Sequence, residues 1–488
     1  MQCCAHQNGL QNGPGYASPK DALRAPREKI LFVTSVNVNP EDQHDALVTI
    51  DVDPASPTYC QVIGRVTVPY KLDEVHHLGW NACSSCYGNP LASRRYLVMP
   101  CLNSSRVYIV DTKDPTNLTI KKIIEPEELH KHDVSFPHTP HCLADGNVMI
   151  STLGDANGEK KGNFILIDGS TFDVKETWPA PDSPPQKFNY DFWYQPRLNV
   201  MVASEWGTPN KIKSGFKTED LDAGEYGKQI HIYDWKEHKL VQTIELDGFE
   251  GWMPLEVRFL HEPSKAHCFY GTCLGSSIYH LYKDETTGKW VNRLAYKVEV
   301  KKVSGWVMEE ISGNITYIII SMDDRYLYAS CFLFGEILQL DISDPFDVKL
   351  VGKLDISDPF DVKLVGKVKL GGLLHSESSV KLANGEDQPK PLYVKGKRIE
   401  GGPQMLQLSL DGKRLYVTNS AYSIWDKDTY PDLYKNGSQL LQIDVDTENG
   451  GMKVNENCLV DFGKLPNGPF LAHEMRYPGG DCTSDIWI

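Results

Sequence analysis

Seven times along the chain a short apolar run recurs, and this repetition limits the possible folds more than any other feature. Six copies end in an acid: Leu47-Val48-Thr49-Ile50-Asp51, Val107-Tyr108-Ile109-Val110-Asp111, Phe164-Ile165-Leu166-Ile167-Asp168, Ile230-His231-Ile232-Tyr233-Asp234, Ile337-Leu338-Gln339-Leu340-Asp341 and Leu440-Leu441-Gln442-Ile443-Asp444. A weaker copy, Ile278-Tyr279-His280-Leu281-Tyr282, fills the gap in the series. Many copies follow another strand-like run, at 96–99, 147–151, 200–204, 326–330 and 414–418. A strand–turn–strand unit of this size cannot bury its own faces. Copies arranged radially can, and closing the ring protects their edges. The chain therefore reads as all-β, a single β-propeller with seven blades as the simplest count; two β-sandwich domains are the alternative. Residues 1–27, rich in Gly, Pro and polar side chains, read as a flexible tail, and 28–488 as the propeller domain. Short helical turns are expected only near 126–132 and 218–224.

Residues 340–353, LDISDPFDVKLVGK, return unchanged as 354–367. Drifted structural repeats do not stay identical, so this is a recent duplication or a fault in the gene sequence. The second copy is expected to leave its blade as a surface loop, where extra length costs little closure entropy.

Composition narrows the functional classes. The chain has 488 residues, 41% of them hydrophobic, and a net charge of -15. That charge repels a polyanion, which argues against nucleic-acid binding. No stretch has the roughly 18 apolar residues of a membrane span, and the N-terminus lacks the basic and apolar regions of a secretory signal. A cytosolic protein is expected, with its 12 cysteines mostly buried thiols and not a disulfide frame.

Chemistry in a propeller concentrates where the loops converge on the axis. Six of the 15 histidines lie in turn-like settings beside Gly, Pro or Trp: His76 and His77, His138 and His141, His261, and His473. Each alone reads as a hydrogen-bonded, partly buried imidazole, but together in one mouth they would form a metal site. His138 and His141 are spaced to reach one ion. If their segment is extended, His76 and His77 point to opposite sides, and only one of them binds directly. Cys83 and Cys86 form a CxxC pair: a redox couple, half a zinc site, or two ordinary thiols. With no second CxxC, structural zinc is not expected. Cys60 reads as a small buried hydrophobe at the start of a strand. Phosphate-loop, GxSxG and HExxH patterns are absent from the sequence.

Long segments, among them DVDPASPTYCQVI, DEVHHLGWNACSSC, HTPHCLADGNVMISTLGD, GWMPLEVRFLHEP and AHEMRYPGGDCTSDIWI, resemble the selenium-binding protein family, whose animal members are methanethiol oxidases. The resemblance runs through nearly the whole chain. It implies a propeller that converts methanethiol, O2 and water to formaldehyde, hydrogen sulfide and hydrogen peroxide. It also implies copper on the segments of His76/His77, His138/His141 and His473, and selenium on Cys60. The expected partners are a small thiol and O2, with nuclear or peripheral-membrane settings besides the cytosol. Glu205 and Glu474 are the candidate bases for removing a methyl proton. Alternatives are a non-enzymatic selenium or electrophile carrier on Cys60 with redox sensing by Cys83 and Cys86, and a scaffold in intra-Golgi transport. One departure is Phe334, which stands in Cys331-Phe332-Leu333-Phe334-Gly335-Glu336 where the family pattern has a histidine.

Overall fold

The fold, taken from a computed structural model, is described for residues 13–351 and 367–488. Among these residues seven sheets have four or five strands each, and two small sheets lie outside that series. The repeated runs of the sequence occupy the same place in every large sheet. They lie in Ala46–Asp51, Val107–Asp111, Lys160–Asp168, Gln229–Asp234, Ser277–Lys283, Glu336–Asp341 and Gln439–Val445, each the third strand counted outward. The terminal acids have a local reason. The carboxylates of Asp51, Asp111, Asp168, Asp234 and Asp341 each accept the backbone N–H two residues on, which starts the turn into the outer strand.

The first strands of neighbouring sheets pack on one another, which places them around the axis. They are Gly79–Trp80, Ser135–Cys142, Phe192–Gln195, Pro254–Phe259, Ile315–Ile320, Leu406–Leu408 and Phe470–Arg476, and all are buried. Outer strands such as Gln61–Thr67 are only partly covered, with exposed ends. The ring is closed by its two ends. Phe470–Arg476 is the innermost strand of the sheet whose other strands, Ile30–Asn37, Ala46–Asp51 and Gln61–Thr67, come from the N-terminal part. Asn37 pairs with Phe470 and Phe32 with Arg476, so the inner edge of Ile30–Asn37 is covered at this seam.

Several expectations change. Residues 13–27 are not a free tail. Ser18 caps the short helix Pro19–Ala22, Ala22 is fully buried, the Tyr16 amide donates to Ser84, and the Trp487 indole donates to the Tyr16 carbonyl. Residues 1–12 lie outside the described part. Most of the second duplicated copy also lies outside it, and with it the expected surface loop. On either side of that stretch, Lys349–Leu350 pairs with Leu340 and Asp341, and Lys367–Lys369 pairs with Glu336–Leu338. Thus the first copy, and the residues from 367 on, each supply part of one blade's outer edge.

The helical turns expected near 126 and 218 form as Pro126–His130 and Thr218–Asp222. Ser423–Thr429 and Pro431–Asn436 were not foreseen; they fill the long connection between Arg414–Thr418 and Gln439–Val445. Finally, Cys60 is not a free thiol. It is bonded to Cys458, joining the seam sheet to the adjacent sheet of Met452–Asp461. Eight other described cysteines are free and buried, in line with the sequence reading.

The disulfide closes a loop of 398 residues, and loop-closure entropy in the unfolded chain puts the contribution of a loop that long at up to about 6 kcal/mol. Cys458→Ser, or wild type under dithiothreitol, is therefore expected to unfold at distinctly lower denaturant than the oxidised protein. Coincident unfolding curves would show that the bridge does not form.

Candidate metal centre

Two β-bulges and one pinned loop bring the imidazoles together. The loop is 75–78. Val75 bridges Cys101, the His76 amide donates to the Pro100 carbonyl, and the Leu78 amide donates to Glu474 at 2.8 Å. His76 and His77 are thus held short of the strand Gly79–Trp80, not within an extended run. Both rings enter the same space, their centroids 5.0 Å apart, so the expectation that only one could take part is corrected.

His138 comes from Ser135–Cys142, an innermost strand that tolerates Pro137 and Pro140 because its channel side has no partner strand. Its pairing register shifts between those two prolines, and the bulge re-aims the side chains. His473 sits at a second shift, where Val33 pairs with Met475 but Ser35 with Ala472. Thr34 stitches this place together. Its hydroxyl accepts the Glu474 amide at 3.0 Å and donates to the His76 carbonyl at 3.1 Å.

The resulting cluster is tight. Ligand-capable nitrogens of His76, His77 and His138 all lie within 4.8 Å of one another. His473 stacks on His76 at 4.0 Å between centroids, and His77 lies 3.8 Å from His138. All four are buried.

Their hydrogen bonds leave lone pairs directed inward. His473 Nδ1 lies 2.8 Å from the Ser420 carbonyl, which can only accept, so Nδ1 carries the proton and Nε2 the lone pair. His138 Nδ1 meets the Thr139 hydroxyl at 2.9 Å. The Nε2 atoms of His77, His138 and His473 are buried without a hydrogen-bond partner. Burial, and then the neighbouring imidazoles, hold His76 and His77 well below the ordinary histidine value. Burial and His77 do the same for His138, and burial pushes His473 down to about 4. Neutral imidazoles with unpartnered nitrogens are what a metal ion requires and what a solvated core histidine avoids. The residues therefore fit a histidine-bound ion.

Glu474 faces the cluster. Its Oε2 is 2.9 Å from His77 Nδ1, off hydrogen-bond alignment, and its Oε1 pairs with buried Arg476. Further ionic groups lie nearby: Arg258 is paired with Asp191 and Glu256 and hydrogen-bonded to Tyr317. Burial and Asp191 push Glu256 well above the usual carboxylate range. On another side the cluster is covered by aromatic rings. Tyr190 lies 4.1 Å from His138, Tyr422 lies 6.3 Å from His76, and Trp206 contacts both tyrosines.

Three candidates are elsewhere. His141 is turned among Phe192, Trp193 and Tyr194, with ring centroids at 5.1–6.4 Å. His261 lies past the end of Pro254–Phe259, its Nε2 held 3.0 Å from the Ile320 carbonyl. Glu205 is engaged: its Oε2 accepts the Lys228 and Gln229 amides and its Oε1 meets His231 at 2.9 Å. Cys83 and Cys86 lie apart from the cluster, beside Ser85 and Cys142. Thr34, Tyr190 and Arg476 were missed, since Thr and Tyr in strands are ordinary and only the register shifts single them out.

A family profile described as 56kDa selenium binding protein matches residues 10–356 and 351–488. The chain belongs to this family. The two matched pieces meet inside the tandem duplication. The chain is 53% identical to a methanethiol oxidase of Xenopus laevis and 50% identical to the methanethiol oxidase of Homo sapiens, in each case over 98% of both chains. The crystal structure of a hypothetical selenium-binding protein from Sulfolobus tokodaii superposes with a TM-score of 0.85. It is 35% identical and covers 97% of this chain and 98% of its own.

Ser423–Thr429 follows directly on Tyr422, and Asp426 holds it through the Ser420 hydroxyl and the Ala421 amide. Burial raises Asp426 from 3.8 to about 7. The native state thus keeps a proton that the unfolded chain releases from about pH 4 upward. The stability this supplies is full below pH 3.8 and is lost as pH rises through 7. Asp426→Asn is expected to flatten the unfolding free energy between pH 4 and 8 by up to about 4 kcal/mol, as read by denaturant titration at each pH. An unchanged slope would show that Asp426 titrates normally.

Proposed function

We propose that the protein is a methanethiol oxidase that turns methanethiol, O2 and water into formaldehyde, hydrogen sulfide and hydrogen peroxide. In this reading His76, His77, His138 and His473 hold copper. The observation that carries it is the set of converging neutral imidazoles, three of which, His77, His138 and His473, keep a buried Nε2 with no hydrogen-bond partner. Relatives bearing the name methanethiol oxidase, alike end to end, support the substrate. Copper, when bound, supplies one-electron exchange with oxygen and a soft acid for thiolate sulfur.

The protein's own groups do the rest. The Ser420 carbonyl and Thr139 hydroxyl fix the orientation of His473 and His138. Tyr190, Trp206 and Tyr422 form an aromatic wall that shields one side of the cluster from bulk water. Glu474, beside His77 and neutralised by Arg476, is the carboxylate placed to hold the proton released from the thiol or its methyl group. Glu205 is the other candidate base, and its carboxylate is directed at His231 and not at the cluster histidines.

Phe334 is buried in an apolar core with Lys301 over its ring at 5.2 Å. The imidazole cluster is assembled from other segments, so activity is proposed to persist despite the missing histidine. Selenium binding on Cys60 requires prior reduction of its bond to Cys458. A pure carrier or scaffold leaves the orphaned imidazoles without a purpose.

Elemental analysis of copper-loaded protein is expected to find one copper per chain, and loaded protein given methanethiol should release peroxide and sulfide above a metal-free control. His138→Ala and His77→Ala should each weaken copper binding at least tenfold or so, in a competition titration that does not depend on turnover. Phe334→His should leave copper content unchanged. Loaded protein with no product above control would reject the oxidase. Full copper retention in both alanine variants would reject this site.

A further inference from the structure

A second group of reactive side chains lies outside the histidine cluster. Cys83 ends a loop and caps the three-residue 3-10 helix Ser84–Cys86, while Cys142 closes the strand that carries His138 and His141. The Ser85 hydroxyl stands between three thiols, 3.2 Å from Cys83 Sγ and 3.8 Å from the sulfurs of both Cys86 and Cys142. The sequence suggests Cys83 and Cys86 as the couple, but the structure arranges them otherwise. The Cys86 thiol is committed to the Leu143 carbonyl, to which it donates at 3.5 Å, whereas the thiols of Cys83 and Cys142 meet across the Ser85 hydroxyl.

Hydrogen bonding, and not charge, favours ionisation of Cys83. Burial opposes it. Hydrogen bonds from Cys142 and Ser85, with Arg94 nearby, outweigh burial and the Asp485 carboxylate, bringing this thiol below its ordinary value. Burial lifts Cys142 well above it, so Cys142 is the protonated member. A thiol shifted down beside one shifted up suits an attacking and a resolving sulfur.

The cover over the group is tight. The Ser84 amide and hydroxyl both donate to Asp485, which Arg94 also grips, and the Tyr16 amide donates to the Ser84 hydroxyl. All three thiols are buried.

We propose that Cys83 and Cys142 form a dithiol that hydrogen peroxide oxidises to a disulfide. The supply of peroxide rests on the oxidase reading above; the dithiol itself does not. Cys83 sulfur attacks one peroxide oxygen, the O–O bond breaks, and the other oxygen leaves as water with the thiol proton, giving a sulfenic acid. Cys142 sulfur then attacks Cys83 sulfur, the S–O bond breaks, and the hydroxide departs as water with the Cys142 proton. Two thiols lose two electrons in all, one peroxide gains them, and two waters form.

The test uses full-length, metal-free protein treated with one equivalent of hydrogen peroxide, then denatured, alkylated, digested and read by mass spectrometry. Near-stoichiometric linkage of the peptides holding Cys83 and Cys142 is expected. It should persist in Cys86→Ser, and Cys142→Ser should instead leave a dimedone-reactive sulfenic acid on Cys83. Free thiols throughout, or a Cys83–Cys86 bond in wild type, would overturn the proposal without recourse to any variant. Copper-loaded protein given methanethiol forms the second arm. Linkage with added peroxide but none with methanethiol would overturn only the supply of peroxide from the histidine site.

Discussion

The pairing of Phe470–Arg476 with Ile30–Asn37 is the interaction on which the rest depends. It converts an open row of small sheets into a ring, and it delivers His473 and Glu474 to the axis. Because the register shifts within this pairing, the Thr34 hydroxyl is free to take the Glu474 amide and reach the His76 carbonyl. Ring closure and assembly of the imidazole cluster are therefore one event. A chain that fails to close its seam lacks a complete site however well its separate sheets form.

The repeated runs made the architecture legible, since each is the third strand of a large sheet and five of the six terminal acids start the turn that follows. Four of the six candidate histidines meet, and their identity was readable from their turn-like settings beside Pro, Gly and Trp. What was not readable depends on register. His141 is three residues from His138, yet it turns among Phe192, Trp193 and Tyr194 because of the bulge between Pro137 and Pro140. Glu205 looked free only because its captor, His231, sits in a strand where a histidine reads as a pleat residue. The Cys60–Cys458 bond joins positions far apart in sequence, and no spacing pattern reveals such a pair.

The site is also costly by design. Arg258, Arg476, Asp191, Glu256 and Glu474 are all buried close to the histidines. Ions taken out of water in this way are rarely a source of stability, and apolar side chains of equal volume would often serve the fold as well. Their retention makes sense as electrostatics. They fix a polar environment around neutral imidazoles, while the aromatic wall keeps water from relaxing it.

The bridge between the seam sheet and its neighbour has a mechanical consequence. Pulled by its two ends, an oxidised molecule can pay out only the short stretches before Cys60 and after Cys458, because everything between them is enclosed in one covalent circle. The strand that completes the ring lies in the outer stretch and would peel away first. The enclosed sheets would be spared the load until a reductant cut the circle.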